Sequence, residues 1–538
     1  MHYVLNAAQM KRCDLTTIET LGIASLVLQE RAALSVCKYI NDESPEPGAQ
    51  RSLPDKGQVR LYAGVGNNGA DALACARILS ARGYRPLVLL FGDEARATQE
   101  TRAQMKSLNA LGIKLLRQQD ARDDKALRER PVCVVDGLIG IGLHRAPEGA
   151  MAEAIRDINA LGEQGVRVIA IDIPSGVNAD DGAVPGEAVR ADLTVTFAFR
   201  KAGQLLYPGA SYSGKLVCED IGIPEASLPE DTPPAAFCYL RAEEVPLPKR
   251  RPDGNKGTFG KVLLMAGCET IGGAAILAAQ AAFRGGAGMV RVLTARANRD
   301  ALLQTVPEAL IDVYDKDITD KELEALCETA CAWADVIVAG PGIGTDALSL
   351  GILRTLFTKG KTPMVLDADA LNLLSMTENG LMDFAREYAK KDYGMVLTPH
   401  VGEFCRLYAA AFDRRISAEE CKANLMQYPK ELAEKLGAVV LCKDARSVAA
   451  APAADGDSDF PPLYLNISGN EGMATAGSGD VLAGLTGALI AGGVEAFDAA
   501  CSAAFLHGHA GDLAAAEKGT RVMTATDISR ALTTVLRL

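Results

Sequence analysis

Aromatic residues are scarce. Phe, Tyr and Trp make up 5% of the 538 residues, and Trp occurs once. That leaves little for the stacking platforms that hold single-stranded nucleic acid. Clustered positive charge is missing as well: Lys+Arg 56 against Asp+Glu 68 gives a formal charge of −12. Neither nucleic acid nor a membrane surface is expected as a partner, because both need a basic patch. The 13 cysteines are odd in number and contain no Cys-x-x-Cys, so a secreted disulfide framework or a zinc site is not expected. The closest pair, Cys327 and Cys331, sits in a helix-like stretch without a nearby histidine. No stretch reaches the ~18 apolar residues of a membrane span. Lys11, Arg12, Asp14 and Glu19 interrupt the beginning of the chain, which therefore reads as amphipathic helix and not as a secretion signal. The expected location is the cytoplasm. A phosphate loop of the form G-x-x-x-x-G-K-[ST] is absent too.

What is present is an ordinary globular composition, 48% hydrophobic and 23% charged, with 52 glycines and 24 prolines. Two α/β series run along the chain. In the first, apolar runs at Val59–Ala63, Leu87–Phe91, Val132–Val135, Val166–Ile171 and Leu193–Phe197 alternate with helical stretches such as Asp71–Ala81 and Gly149–Leu161. That alternation predicts parallel strands with helical crossovers. Six prolines then fall between Pro224 and Pro248, more than a helix or central strand absorbs. The expected organisation is a domain over 1–225, a linker over 226–248 and a second domain over 249–538. The series restarts with Lys261–Ala266, Met289–Leu293, Val336–Ala339, Met364–Asp367, Met395–Thr398 and Val439–Cys442. A low-complexity patch near 450–460 reads as a hairpin or exposed loop.

Three strand ends in the first half carry polar groups. Gly64-Val-Gly66-Asn67-Asn68-Gly69-Ala70-Asp71 leads from a strand into a helix, where free N–H groups suit an anion. Asp136 precedes a glycine-rich loop, and Asp172 ends another strand ahead of Pro174-Ser175. Ligands of open parallel sheets bind beyond these carboxyl ends, so the three should share one crevice. Asp172, an ionisable group facing that crevice, is the expected acid/base residue. The plainer reading makes each polar residue a helix cap.

In the second half, Asn470-Glu-Gly472-Met473-Ala-Thr475-Ala-Gly477-Ser478-Gly479-Asp480 precedes an apolar helix. Small residues there leave N–H groups pointing into an anion-binding hollow. A carboxylate beside such a hollow is what phosphoryl transfer to a hydroxyl requires, with the base taking the proton. The alternative makes Asp480 an N-cap.

These strings carry a resemblance. GNNG, DGLIGIGL, DIPSGVNADDG and TFAFRKAGQLLYPGASYSGKLVCEDIGIP, with the opening QMxxxD, resemble NAD(P)H-hydrate epimerase. The resemblance implies a Rossmann-like three-layer αβα domain. It also implies K+ held by Asn68, Asp136 and Ser175, and substrate contacts from Asn67, Asn68, Gly69, Ala70, Asp71, Gly140, Ile141, Gly142, Leu143, His144, Arg145, Ala146 and Asp172. Ala70 and Ala72 stand where the family usually has glycine, so a stiffer turn is expected. NKGTFG, GGAAIL, GPGIG, LDADALNLL, TPHVGE and GMATAGSGD resemble NAD(P)H-hydrate dehydratase, within a ribokinase-like αβα fold. That resemblance implies contacts to the hydrated dinucleotide from Ala275, Gly342, His400 and Asp480. Lys443, Asp444, Ala445, Arg446, Ser447 and Gly479 would contact ADP or ATP with Mg2+. Asp444 replaces a family glycine and adds negative charge near the nucleotide. Together the two halves imply a bifunctional repair enzyme. It would epimerise NADH hydrate and NADPH hydrate and dehydrate the S form at the expense of ADP, as a homo-oligomer. Two rivals are a small-molecule kinase, which shares the GSGD cradle, and a non-catalytic nucleotide sensor.

Overall fold

The computed structural model describes residues 1–41, 57–117, 124–229, 231–391, 393–453 and 463–537. The chain divides into two compact units, Tyr3–Ala235 and Ala236–Leu538 together with Met1–His2. The low-complexity patch lies outside the described residues over 454–462.

Strands are numbered in chain order. The N-terminus does not begin as helix: β1 (His2–Leu5) comes first, and then Asn6 opens the helix Ala7–Leu15. Asn6 and Gln9 form a reciprocal capping box, which fixes the start of the helix locally. The helix Ser25–Asn41 follows.

The N-terminal unit is built on β2 (Gln58–Ala63), β3 (Arg85–Leu90), β4 (Lys114–Arg117), β5 (Cys133–Gly137), β6 (Arg167–Ile171), β7 (Leu193–Phe197) and β9 (Lys215–Glu219). A two-residue strand, β8 (Arg200–Lys201), pairs with β1. The seven main strands are ordered β4-β3-β2-β5-β6-β7-β9 and every pairing is parallel. This is the doubly wound order, whose direction reverses between β2 and β5. Alternation along β2 shows the layers. Val59, Leu61 and Ala63 enter a core with the helices Ser25–Asn41 and Asn67–Ala81, whereas Tyr62 enters a separate core with the helix Ala150–Glu163. The sheet is covered on both faces, as its Rossmann-like reading requires.

The C-terminal unit contains β10 (Ala236–Cys238), β11 (Lys261–Met265), β12 (Met289–Ala295), β13 (Leu310–Tyr314), β14 (Val336–Ala339), β15 (Met364–Leu366), β16 (Met395–Leu397), β17 (Val439–Cys442), β18 (Val448–Ala450) and β19 (Leu463–Leu465). Within this unit the order is β13-β12-β11-β14-β15-β16-β17-β18-β19-β10. Pairing is parallel from β13 to β17 and antiparallel through β17-β18-β19. All residues of β14 and β15 are fully buried, so this sheet too is sandwiched between helices.

The expected strands are present, with ends moved by a residue or two. Strands β4, β9 and β13 did not stand out because charged or exposed residues break their apolar runs: Lys114 and Arg117, Lys215 and Glu219, and the half-exposed Leu310. The segment 226–248 also differs from a simple linker. Its middle forms β10, which pairs in parallel with β19 through Ala236 and Phe237. Phe237 and Tyr239 pack on Tyr464 there, and Tyr239 also meets Phe505. Prolines are tolerated because they flank this three-residue strand and stay out of it.

A fragment over 236–538 is expected to fold, whereas one over 249–538 loses two buried rings and unfolds about 3 kcal/mol more easily. Chemical denaturation of both fragments checks this. Equal midpoints would return β10 to the status of a linker.

Candidate active sites

In the N-terminal unit the polar residues gather at the carboxyl ends of β2, β5, β6 and β7. Gly66 is the N-cap of the helix Asn67–Ala81, with no side-chain cap. Asn68 therefore lies inside the first turn and is not a cap. Its Nδ2 is buried without a partner, and its Cβ stands 3.2 Å from the Cβ position at Gly140. Gly69 is dictated by contact, since a Cβ there would sit 1.8 Å from the Gly64 carbonyl oxygen. Ala70 and Ala72 are fully buried within the helix. They are not turn residues, so the expected stiffening of the turn does not arise.

Asp136 is fully buried at the end of β5. Ser175 Oγ donates to Asp136 Oδ1 at 2.6 Å, Ser175 N to Oδ2 at 2.8 Å and Leu138 N to Oδ1 at 3.2 Å. Burial outweighs these donors and pushes the carboxyl up to about 6. Ile139 N donates to Ser175 Oγ at 2.8 Å, so the turn 138–140 ties Asn68, Asp136 and Ser175 into one neighbourhood. Along the loop 140–146, Gly142, His144 and Arg145 are exposed, Gly140, Ile141 and Ala146 are half-buried, and Leu143 is buried. Asn67 is exposed as well.

Asp172 has φ +62°, a left-handed conformation costing of order 1–3 kcal/mol in a residue other than glycine. Its backbone is held from both sides: Asp172 N donates to Val195 O at 2.8 Å, and Gln204 Nε2 donates to Asp172 O at 2.6 Å. Its Oδ1 accepts from Lys201 Nζ at 2.5 Å and from Thr196 Oγ1 at 2.8 Å. Lys201 is 1% exposed. Two further carboxylates feel this pair. Burial pushes Asp14 up to about 6, with Lys201 opposing and Asp172 adding to the rise. Burial, then Asp172 and Asp14, push Asp71 well above the carboxylate range. Neither Lys201 nor Asp14 stood out as a site residue. Both lie inside strings that carry the resemblance, and a lysine that folds into a core has to be paired.

In the C-terminal unit the corresponding groups follow β14, β15, β16 and β17. Gly477, at φ +89°, is the N-cap of the helix Ser478–Ala491 and no side chain caps it. Asp480, the third helical residue, is therefore not a cap. A Cβ at Gly479 would lie 3.2 Å from Lys443 Nζ and 3.4 Å from Asp367 Oδ2. Lys443 Nζ donates to Asp367 Oδ1 at 2.6 Å, and Thr398 Oγ1 donates to the same oxygen at 2.8 Å. Burial, reinforced by Asp367 and Asp369 and opposed by Lys443, pushes Asp480 up to about 7. Burial works against the Lys443 charge, yet Asp367, Glu403 and Asp480 hold it above its ordinary range. Asp367 and Asp369 were not singled out in the sequence. They flank Ala368, which has φ +49°.

The remaining expected residues surround this cluster. His400 caps the helix Val401–Phe412, with Nδ1 accepting from Gly402 N at 3.0 Å and Glu403 N at 3.3 Å. The rest of its side chain is exposed. Gly342, at φ +64°, packs on Ile271 and Ala274, and Ala275 is fully buried. Residues 443–447 form the turn between β17 and β18. Asp444 lies 3.5 Å from Lys422 Nζ, which offsets its added charge. Ala445 is exposed, Arg446 Nη1 donates to Ile467 O at 3.3 Å and Ser447 O accepts from Asn466 N at 2.8 Å. His507 Nε2 lies 3.3 Å from Ser478 Oγ, and burial, helped by Lys443, pushes its imidazole down to about 4. No cluster of three or more His, Cys, Asp or Glu suited to a metal occurs among the described residues. No helix there is long and apolar enough to cross a membrane.

Residues 262–534 match the family described as NAD(P)H-hydrate dehydratase, and residues 25–203 match the YjeF-related protein N-terminus. A bifunctional NAD(P)H-hydrate repair enzyme of Moorella thermoacetica is 34% identical, over 99% of this chain and 97% of its own. The chain belongs to the bifunctional NAD(P)H-hydrate repair enzyme family. The Escherichia coli member is 32% identical over 98% of this chain and 92% of its own. A Bacillus subtilis structure titled ADP/ATP-dependent NAD(P)H-hydrate dehydratase, co-crystallised with ATP and Mg2+, is 26% identical. It covers 55% of this chain and 94% of its own, with a TM-score of 0.43.

For this family member, Lys201→Met should cost about 3 kcal/mol, because it strips the cation from a buried pair and leaves Asp172 uncompensated. Urea unfolding of the N-terminal unit measures it. An unchanged midpoint would mean that the pair does not hold the site together.

Proposed function

We propose that the N-terminal unit epimerises hydrated NADH and NADPH, and that the C-terminal unit dehydrates the S epimer with ADP as phosphoryl donor. The observation that carries this reading is Asp480. Its carboxyl, pushed up to about 7, is a base matched to neutral pH at the N-terminus of the helix Ser478–Ala491.

Asp480 takes the proton from the C6 hydroxyl as that oxygen attacks the terminal phosphorus of ADP. The N–H groups of Ala476, Gly477 and Gly479 stabilise the phosphate oxygens meanwhile. The P–O bond to the leaving nucleotide breaks and AMP departs. Phosphate then leaves C6, a ring proton is lost from C5, and the C5–C6 double bond of the reduced nicotinamide is restored. Lys443, held by Asp367, sits beside Gly479 to balance negative charge. The donor set fits a Mg2+ brought mainly by the nucleotide, with Asp367 and Asp480 as the nearby carboxylates. Mg2+ would supply charge neutralisation on the phosphates.

In the N-terminal unit, Asp172 moves the proton during inversion at C6, and Lys201 keeps its carboxylate oriented. Asn68, Asp136 and Ser175 suit K+. The Asp136 carboxylate has hydrogen-bond donors but, among the described residues, no basic side chain against it. A bound K+ would offset the buried Asp136 charge and give substrate oxygens an anchor.

Incubating the protein with mixed hydrate epimers and either ADP or ATP, while following reduced-nicotinamide absorbance, tests both roles. Asp172→Asn should slow conversion of the R fraction roughly 10²–10⁴-fold and leave the S fraction unaffected. Asp480→Asn should stop dehydration while ADP binding, read by calorimetry, persists. A stable phosphorylated product would instead support the kinase reading.

A further inference from the structure

A cavity of about 870 Å³ lies within the C-terminal unit, walled by Thr345, the stretch 372–378 and residues 405–416. Its volume falls in the range of small-molecule sites, ~300–1,000 Å³. Two walls continue elements that carry expected substrate residues. Thr345 lies three positions beyond Gly342. Arg406 stands on the helix that His400 caps, and a Cβ at Gly402 would be 2.9 Å from His400 Cε1 and 3.7 Å from Arg406 Nη1. Hydrogen bonds tie this wall to the carboxylate cluster. Arg406 Nη2 donates to Asn372 Oδ1 at 2.8 Å, Asn372 Nδ2 to Asp369 Oδ1 at 3.3 Å, and Gly344 N to Asp369 Oδ2 at 2.9 Å.

The lining is mixed in charge: Arg406, Arg414 and Arg415 with Glu378 and Asp413. Arg414 is engaged by Glu420 at 2.6 Å and Tyr428 OH at 3.1 Å. Arg415 is exposed and makes no hydrogen bond or ion pair among the described residues. A site for a bare polyanion would carry cations alone. Guanidinium forks beside carboxylates suit a nucleotide, whose phosphates accept hydrogen bonds while its ribose hydroxyls and base amine donate them. The turn 443–447 and the hollow before Asp480 are allotted to ADP, whereas Thr345 and Arg406 place this cavity next to the segments that carry Gly342 and His400.

We propose that the cavity binds the adenylate half of the hydrated dinucleotide, with Arg406 and Arg415 on its phosphates. This rests on the C-terminal unit being the dehydratase. The contact is the same before and during reaction, so it should govern KM and leave kcat alone.

The test compares the parent with Arg415→Ala at saturating ADP on three substrates: NADH hydrate, NADPH hydrate and the hydrate of reduced nicotinamide mononucleotide, which lacks the adenylate. Arg415→Ala should raise KM for both dinucleotides about tenfold, keep kcat within about twofold and leave the mononucleotide unaffected. A larger rise for NADPH hydrate assigns Arg415 to the 2′-phosphate, and equal rises assign it to the pyrophosphate. No rise, or an equal rise for the mononucleotide, overturns the proposal. Fluorescence titration with NADH and with reduced nicotinamide mononucleotide supplies a readout without turnover. Failure of the parent to dehydrate would refute the dehydratase reading. About tenfold weaker NADH binding by Arg415→Ala, with mononucleotide binding unchanged, would even then support the cavity.

Discussion

One lysine among several carboxylates, at the carboxyl end of a parallel sheet, is the constraint on which each unit depends. Lys201 is bonded to Asp172, with Asp14 within its electrostatic reach, and Asp71 in turn feels Asp172 and Asp14. Lys443 is bonded to Asp367, with Asp480 and Glu403 close enough to shift it. In both cases one cation serves more than one acid. Burial pushes the members without a lysine of their own upward, Asp14 to about 6 and Asp480 to about 7, and the shared lysine opposes the rise. A group half-protonated near neutrality can both take and return a proton. The same arrangement explains the backbone strain beside it. Asp172 and Ala368 hold positive φ because the groups around them fix where the carboxylates must point.

Sheet topology places these clusters. In the N-terminal unit the order reverses between β2 and β5, so the loops after them part and leave a crevice. Asn68 follows β2, and Asp136 lies at the carboxyl end of β5. In the C-terminal unit the parallel run from β13 to β17 lines up Gly342, Asp367, His400 and Lys443 along one edge, and the helix at Ser478 brings Asp480 to it. Chemistry at strand ends is cheap to vary, since the buried strands do not change.

Much of this was legible in the sequence. Apolar runs gave the parallel strands, and glycine-rich turns with Asp at their edges gave the loops that meet. The lysines were harder to read. Lys201 sits in TFAFRKAGQLL and looks like a surface charge until the fold buries it. Asp367 closes the apolar run Met364–Asp367 and Asp369 lies within LDADALNLL, and only contact with Lys443 and Gly344 makes them part of a site. Asn68 and Asp480 could each have been caps. Capping depends on a shift of one or two residues in where a helix starts, and glycines at 66 and 477 set those starts. β10 stayed hidden because its prolines flank a strand whose partner is more than two hundred residues away.

The central claim is that burial makes Asp480 basic and that Lys443 holds that rise in check. The most direct test is the pH dependence of kcat for dehydration of the S epimer at saturating ADP, in the parent and in Lys443→Met. A general base must be deprotonated to act, so the parent rate should fall as pH drops through about 7. Removing the cation that lowers the Asp480 pKa should move that fall to higher pH. A profile whose inflection is unmoved by Lys443→Met, or a rate that rises toward acid, would contradict the account.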